Sequence, residues 1–368
     1  MLTLPTPEIP VHELQSWGFG PDFLAQLDLD ELDTPHGPAV GRVIAASHHH
    51  YLLATAQGTQ MAAPSGRLRQ EELPVVGDWV VLRPDTLAQD GPALMTRMLQ
   101  RRGAFIRRAP NDVRQVLAAN VDLAFLTTSL NQDLSLRRIE RYLTEIWQSG
   151  ATPMILLTKG DLVADASAAR RAVASVAPEV EVAVVSAVAR SGLDPLLAAL
   201  QPGRTAAFLG SSGVGKSTLL NALLGAELAA TTPIRQDDGK GRHTTTSRQL
   251  FRRPEGGLLL DQPGLREVGL WEGADGLSRT FADVDALLGQ CRWRDCQHNA
   301  EPGCAIAAAL EQGRLDPGRW ESWVRLQREL HHEAVRQDAV AQRAERERWK
   351  RIHQDAEARM GFQNRQRW

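Results

Sequence analysis

The segment that most limits the fold is a glycine-rich turn between an apolar run and a helical one. Residues 210–217 read Gly-Ser-Ser-Gly-Val-Gly-Lys-Ser, after the apolar run Thr-Ala-Ala-Phe-Leu and before an amphipathic stretch. The pattern predicts a strand, a phosphate-binding loop and a helix, because glycines let backbone N–H groups turn inward and a helix N-terminus attracts anions. We expect Lys216 to reach the β- and γ-phosphates of a nucleotide and Ser217 to bind Mg²⁺. The alternative is a Gly/Ser-rich turn without a ligand.

A second motif, Asp261-Gln-Pro-Gly264, follows the apolar run Gly-Leu-Leu-Leu. A strand that ends in aspartate near a phosphate loop indicates a carboxylate in the Mg²⁺ shell. Gly264 would let the backbone approach the γ-phosphate and move when that phosphate leaves. The alternative is a common turn.

The segment Thr158-Lys-Gly-Asp161 follows another apolar run and is similar to the Asn-Lys-x-Asp element of GTPases. Asp161 would accept hydrogen bonds from N1–H and the 2-amino group of guanine, which adenine cannot supply, while the stem of Lys159 lies along the base. Thr158 replaces the usual asparagine, and we expect this to weaken the local support. Ser186 and Ala187 would complete the guanine pocket with backbone and hydroxyl contacts.

The order of these motifs is unusual, because the guanine-reading elements precede the phosphate loop. From Val121 onward, strand-like runs alternate with helical stretches, which predicts a parallel sheet covered on both faces. Such a sheet accepts new chain ends, since termini lie close together at the surface. We therefore predict a circularly permuted nucleotide-binding domain, in which the γ-phosphate sensor at 261–264 leads almost directly into a C-terminal domain.

The polar stretch between the phosphate loop and Asp261 contains Gly-Arg-His-Thr-Thr-Thr at residues 241–246. A switch threonine that completes the Mg²⁺ shell belongs here, and we favour Thr245 over Thr244. Leu265 occupies the place of a water-orienting glutamine, so intrinsic hydrolysis should be slow. His243 is a candidate for the missing group; a solvated loop histidine is the alternative.

The three cysteines of the chain all lie within one short window. The spacing Cys291-x4-Cys296-x-His298-x5-Cys304 supplies three thiolates and one imidazole. This is a complete tetrahedral set for Zn²⁺ without an open position, which indicates a structural site. The odd cysteine count argues against a disulfide framework. The alternative is three buried free cysteines.

The segments outside the nucleotide-binding part are less distinctive. Residues 1–37 show no clear period and form an extension with at most a short helix. Residues 38–112 contain short alternating runs punctuated by glycine, proline and aspartate, which predicts a small β-barrel. A basic stretch with Phe105 could give this barrel a phosphate-contacting face; the alternative is a solvated linker. Its arginines are Arg97, Arg101, Arg102, Arg107, Arg108 and Arg114.

We expect the nucleotide-binding domain over residues 113–275 and a zinc-binding domain with a helical tail over 276–368. In that last part, Trp323, Val324, Leu326 and Leu330 have helical spacing and should pack. The N-terminus has no signal-like core, and the apolar runs are too short to span a bilayer. The protein should therefore be cytoplasmic, without a membrane partner, and a monomer. The net charge of −2 does not by itself indicate a nucleic-acid binder.

Taken together, the motifs resemble the RsgA/YjeQ family of ribosome-small-subunit-dependent GTPases. The resemblance covers residues 38 to about 330 and rests on VGDWV, TKGDL, GSSGVGKST, GRHTTT, DQPGLRE and the Cys/Cys/His/Cys set, in the family's order. It implies an N-terminal OB-fold, a permuted P-loop GTPase and a helical zinc domain. It also implies GTP and GDP as ligands, and late maturation of the 30S ribosomal subunit and its 16S rRNA, with hydrolysis stimulated by the ribosome. Thr158 and Gln262 depart from the family pattern.

The predicted site follows from these motifs. The nucleotide-binding residues are Thr158, Lys159, Gly160, Asp161, Ser186, Ala187, Gly210, Ser211, Ser212, Gly213, Val214, Gly215, Lys216, Ser217, Thr218, Asp261 and Gly264. The catalytic residues are Lys216, His243 and Thr245; the Mg²⁺ ligands are Ser217, Thr245 and Asp261; the Zn²⁺ ligands are Cys291, Cys296, His298 and Cys304. The competing interpretations are an ATP-using enzyme, which Asp161 argues against, and a nucleotide-binding scaffold that barely hydrolyses.

Overall fold

The structure is a computed structural model that describes nine stretches of the chain. They are residues 11–34, 37–47, 50–87, 91–108, 114–130, 134–225, 248–261, 274–298 and 301–335. The chain divides into two compact units, Met1–Gly269 and Leu270–Trp368. None of the helices in these stretches is both long and apolar enough to cross a bilayer.

A five-stranded barrel forms the N-terminal part of the first unit. Its strands run in the order β1-β2-β3-β5-β4, and pairing of β1 with β4 closes it, as in an OB-fold. Glycines and prolines separate the strands and hydrophobic side chains fill the interior, so the alternating pattern of the sequence predicts this part well. The strands are β1 (Val40–Ser47), β2 (His50–Thr55), β3 (Gly58–Pro64), β4 (Trp79–Leu82) and β5 (Ala93–Met98).

The N-terminal extension packs against this barrel. It contains three short helices where the sequence suggested at most one: α1 (Val11–Ser16), α2 (Pro21–Leu24) and α3 (Leu29–Leu32). The rings of Phe19 and Phe23 lie 4.9 and 5.8 Å from the ring of Trp79, measured between centroids. Because all three rings are buried, the extension completes the hydrophobic core of the barrel.

An α/β part follows, after a two-stranded antiparallel hairpin of β6 (Ala104–Arg108) and β7 (Arg114–Ala119). Alternate residues of its strands enter two separate hydrophobic clusters, one on each face of the sheet, and helices cover both clusters. The strands are β8 (Leu123–Ser129), β9 (Thr152–Thr158), β10 (Glu181–Val184), β11 (Thr205–Leu209), β12 (Arg248–Arg252) and β13 (Leu258–Asp261). The helices are α4 (Leu136–Gln148), α5 (Ser167–Val176), α6 (Asp194–Ala199) and α7 (Lys216–Leu224).

The sheet of the α/β part runs in the order β10-β9-β8-β11-β13-β12 and is parallel except for β12. This arrangement confirms the predicted parallel sheet with permuted motif order. Strand β12 also pairs with β1 of the barrel, through Ala45 opposite Gln249 and Ala46 opposite Arg248. One eleven-stranded sheet therefore runs from the α/β part into the barrel.

The second unit is helical in its described residues. It comprises α8 (Ala274–Thr280), α9 (Ala282–Leu288), α10 (Ala305–Glu311) and α11 over residues 317–335. Phe281, Val284 and Ile306 are fully buried between these helices. Trp323 and Leu326 on α11 join the same core, with Val324 and Leu330 partly buried against it, which confirms the packing role predicted for them.

Candidate nucleotide site and metal centre

The predicted nucleotide-binding residues meet at one edge of the sheet. Strands β9, β10, β11 and β13 are parallel, so the segments that follow them share the edge formed by their carboxyl ends. Thr158 ends β9 and the rest of its motif follows that strand. Ser186 follows β10, the phosphate loop follows β11, and Asp261 ends β13. This edge is where open α/β sheets bind ligands.

The phosphate loop has the backbone geometry that its glycines allow. Gly210, Gly213 and Gly215 have φ values of 134°, 77° and 98°, in the region that disfavours other residues. A Cβ atom on Gly210 would lie 2.1 Å from the carbonyl oxygen of Thr127 on β8, so only glycine fits there. Nζ of Lys216 donates to the carbonyl oxygens of Gly210, at 2.8 Å, and of Ser211. The ammonium group is thus held at the loop.

Asp261 supplies a carboxylate at the neighbouring strand end. Burial raises the pKa of Asp261, and the positive charge of Lys216 opposes that rise. A partly buried carboxylate gains most from a nearby cation, because water does not already stabilise its charge. Ser217 is the second residue of α7, which follows the phosphate loop after the adjacent strand β11. Both oxygen-bearing side chains suit Mg²⁺.

Thr158 joins the guanine-reading segment to the phosphate loop. Its hydroxyl group is buried and donates to the carbonyl oxygen of Val214 at 2.6 Å, with the carbonyl oxygen of Thr128 at 3.2 Å. The weaker support expected from the replacement of asparagine by threonine stays a prediction. Thr158 thus provides a direct hydrogen bond between the Thr158–Asp161 segment and the phosphate loop.

Asp161 is oriented by a second hydroxyl group. Oγ of Ser186 donates to Oδ1 of Asp161 at 2.5 Å and accepts a hydrogen bond from the backbone N–H of Ala189 at 3.0 Å. The Gly160 N–H also donates to the carbonyl oxygen of Val185 at 3.1 Å, which fixes the two strand ends together. The Ser186 hydroxyl group thus positions the carboxylate of Asp161, and its predicted contact with guanine stays a prediction.

The cysteine and histidine residues of the second unit form one cluster. The ligand atoms of Cys291, Cys296, His298 and Cys304 all lie within 4.8 Å of one another. Nδ1 of His298 is 3.5 Å from Sγ of Cys291 and 3.7 Å from Sγ of Cys304. With Zn–S and Zn–N bonds of about 2.3 and 2.05 Å, tetrahedral ligand atoms would be about 3.6 Å apart. The two distances from His298 are close to this spacing, and the four side chains together could hold one zinc ion.

Backbone groups support the same cluster. The N–H of Ala305 donates to Sγ of Cys291, and the N–H of Ala307 donates to Sγ of Cys304, both at 3.4 Å. The first of these bonds lowers the pKa of Cys291, which favours the thiolate that binds metal. The His298 ring also packs edge-on against Trp320, at 5.7 Å between centroids. Helices α10 and α11 therefore position the ligands.

Comparison with known proteins agrees with this geometry. The family model for the RsgA GTPase matches residues 98–271. A protein of Opitutus terrae named "Small ribosomal subunit biogenesis GTPase RsgA" is 47% identical over 339 residues, which cover 88% of this chain and 92% of that protein. The chain belongs to the RsgA GTPase family. A Streptomyces avermitilis protein of the same name is 41% identical over 356 residues, or 95% of this chain and 94% of that protein.

Solved structures show the same fold as this RsgA family member. YjeQ from Thermotoga maritima matches with a TM-score of 0.60 at 24% identity, over 78% of this chain and 96% of that one. YloQ, described as a circularly permuted GTPase, matches with a TM-score of 0.58 at 23% identity, over 83% of this chain and 98% of that one. The predicted fold, a barrel, a permuted GTPase and a helical unit with a metal-ligand cluster, is thus confirmed.

Several predicted residues lie outside the described stretches. They stay predictions: His243, Thr244, Thr245, Gln262, Gly264 and Leu265. The boundaries predicted for the extension, the barrel, the GTPase domain and the zinc domain also stay predictions.

In the basic stretch, the stacking role predicted for Phe105 is wrong, and three of the arginines have acidic partners within the fold. Phe105 is only 1% exposed and cannot stack on a base. Three arginines form ion pairs within the fold instead: Arg97 with Glu31 at 2.6 Å, Arg101 with Asp78 at 2.7 Å, and Arg102 with Asp22 at 2.6 Å. The acidic partners come from distant parts of the chain, so sequence spacing does not reveal the pairs.

One contact of the phosphate loop was missed entirely. Nη1 of Arg138, on α4, donates to Oγ of Ser211 at 2.7 Å. The two residues are 73 positions apart, and Arg138 lies in an ordinary amphipathic pattern. The one available signal was the permuted motif order, which makes the strand before α4 a neighbour of the strand before the phosphate loop.

Proposed function

We propose that this RsgA family member hydrolyses GTP to GDP and phosphate and acts, as a cytoplasmic monomer, in late maturation of the 30S ribosomal subunit. The observation that carries the proposal is the hydrogen bond from Thr158 to Val214. This bond holds a guanine-reading carboxylate and a phosphate loop in one rigid site, which suits one nucleotide that spans both. The names of the curated relatives supply the ribosomal context.

We assign the following roles in the nucleotide site. Asp161, held by Ser186, accepts the two guanine N–H groups, and the stem of Lys159 lies along the base. Backbone N–H groups of residues 210–218 surround the phosphates, and Lys216 moves from the loop carbonyls to the β- and γ-phosphates. Ser217 and Asp261 hold Mg²⁺, with Thr245 as the third ligand. When bound, Mg²⁺ neutralises charge that develops on the phosphate oxygens.

The catalytic step then depends on few side chains. Lys216 stabilises charge on the transferred phosphoryl group, and Thr245 is the switch threonine that would complete the Mg²⁺ shell. His243 orients or activates the attacking water, because Leu265 has no group able to do so. A zinc ion held by Cys291, Cys296, His298 and Cys304 would have a structural role in the second unit, because these residues supply a complete set of four protein ligands.

We further propose that the second unit contacts single-stranded 16S rRNA. Trp293 lies between two cysteines of the cluster, and 54% of its surface is exposed. The guanidinium group of Arg292 packs over its ring at 5.1 Å, and Arg294 follows. An exposed aromatic ring between two cations suits an unpaired base and its phosphates. Metal ligands on both sides would hold this turn rigid.

The nucleotide assignment is tested by exchanging one hydrogen-bond acceptor. Asp161→Asn should reduce GTP affinity tens- to a hundredfold, because a buried charge-assisted pair contributes about 2–3 kcal/mol. It should raise affinity for XTP, since an asparagine amide donates to the xanthine 2-oxygen. Competition binding measures both. Equal affinity of the wild type for ATP and GTP would refute the assignment.

The RNA surface is tested by titrating full-length protein with 30S subunits. Trp293→Ala should weaken binding by about 1–3 kcal/mol, the contribution of one stacked base, whereas Trp293→Phe should retain most of it. Basal GTP hydrolysis should not change. Arg314→Gln, an exposed substitution in the same unit, is the matched control. If Trp293→Ala binds as tightly as that control, Trp293 does not contact RNA.

A further inference from the structure

A second cation reaches the phosphate loop from a different element. Arg138 is the third residue of α4, and Nη1 of its guanidinium group donates to Oγ of Ser211 at 2.7 Å. The topology explains the contact. Strand β8, which precedes α4, pairs in parallel with β11, which precedes the loop, so both strands end at the same edge. Gly210 packs there against the carbonyl oxygen of Thr127.

Ser211 is therefore held by two positive groups. Its hydroxyl oxygen accepts from Arg138, and its carbonyl oxygen accepts from Nζ of Lys216. Arg138 and Ser211 are both half-buried, so water screens the guanidinium charge less than at an open surface. Since arginine stays charged at every physiological pH, this charge is a constant part of the loop's environment.

Such a charge favours the more anionic of two ligands. GTP carries one phosphoryl group more than GDP, and a fixed cation beside the loop attracts the larger negative charge more strongly. The sequence also places leucine at position 265, where no polar side chain is available. Stabilisation of the phosphoryl group then depends more on the cations and dipoles of the loop.

We propose that Arg138 is a positioning residue for the triphosphate. It fixes Ser211, and with it the first turn of the phosphate loop, in the shape that receives the γ-phosphate, and it adds a charge that distinguishes GTP from GDP. This inference rests on the proposed GTPase function, and it adds a residue to that site.

The test compares four full-length variants: Arg138→Ala, Arg138→Lys, Ser211→Ala and the control Arg137→Ala. Arg137 is the adjacent residue, and its guanidinium group bonds to Glu140 of the same helix at 2.9 Å. We would measure affinity for GDP and for a non-hydrolysable GTP analogue, together with kcat, KM and thermal unfolding. Arg138→Ala should weaken analogue binding about tenfold but GDP binding much less, and should lower kcat. Arg138→Lys should retain part of the analogue affinity and part of kcat.

Coupling between the two side chains completes the test. The effects of Arg138→Ala and Ser211→Ala should be non-additive in the double variant if the arginine acts through the serine. Equal losses for GDP and the analogue, or Arg138→Ala values that match those of Arg137→Ala, would overturn the inference. A wild-type protein that does not hydrolyse GTP would refute the proposed function, while the analogue-to-GDP comparison would still decide the role of Arg138.

Discussion

At the scale of single residues, two hydroxyl groups determine the geometry of the guanine side. Thr158 donates to a carbonyl of the phosphate loop, and Ser186 donates to the carboxylate of Asp161. Both groups sit at the carboxyl ends of strands, where side chains of separate segments come within hydrogen-bonding reach. The base site and the phosphate site are thereby connected by side chains as well as by the sheet.

The link made by Thr158 has a measurable consequence. Thr158→Val preserves the shape of the side chain but leaves the buried carbonyl of Val214 without this donor, at a cost of about 1–3 kcal/mol. We expect GTP affinity to fall about tenfold, with a faster off-rate. Thr158→Ser restores a hydroxyl group and serves as the control. Stopped-flow measurement of nucleotide release checks this; a Thr158→Val variant that releases GTP at the wild-type rate would contradict it.

The sequence predicted most of these residues, because each motif has a fixed offset from the end of an apolar strand. The expected positions, at or just after the carboxyl end of a strand, are occupied by Gly210, Lys216, Asp161 and Asp261. The sequence did not predict the role of Arg138. Its partner, Ser211, lies in the phosphate loop far along the chain, and the two residues meet only in the folded sheet. The sequence also led to a wrong role for Arg101. Its basic side chain suggested an exposed phosphate contact, but its partner is the buried carboxylate of Asp78.

At the scale of elements, strand β12 connects the GTPase sheet to the barrel. It pairs with β13, which ends in Asp261, and with β1 of the barrel. Strands pair through backbone hydrogen bonds, and the side-chain pattern of a strand does not specify its partner. The pairing of β1 with β12, across about 200 residues, could therefore not be predicted from the sequence. The barrel was predictable from its alternating runs, and the parallel strands of the GTPase sheet were predictable from their apolar runs.

The metal cluster belongs to this scale, because it joins the loop after α9 to the start of α10. We expect one Zn²⁺ per chain by elemental analysis. A strong chelator should unfold the second unit, seen as loss of helical signal and of protection from proteolysis beyond residue 274. GTP binding should persist, since the nucleotide site lies in the first unit.

Cys296→Ala should reproduce the effect of the chelator, and Arg314→Gln provides a control in the same unit. Carefully purified protein that contains no zinc, or that keeps the second unit folded after complete chelation, would contradict the assignment.

At the scale of the whole first unit, a buried arginine joins three segments. Arg42 is only 2% exposed and donates to the carbonyl oxygens of Trp17, Gly77 and Asn120, at 2.5, 3.3 and 3.0 Å. Burial lowers the pKa of Arg42 to about 10, so it remains charged at neutral pH. These bonds fasten the N-terminal extension and the barrel to the start of the GTPase sheet. With the β1–β12 pairing, they give the barrel a rigid connection to the strands beside the nucleotide.

Turnover with and without purified 30S subunits tests most directly whether this site hydrolyses GTP in response to the small ribosomal subunit. A transition state stabilised by about 4 kcal/mol would give roughly a thousandfold acceleration. We expect slow turnover by the free protein, strong stimulation by 30S subunits, and no stimulated rate in Lys216→Ala. His243→Ala should lower the stimulated rate far more than it lowers GTP binding. Equal turnover with and without 30S subunits would contradict the account.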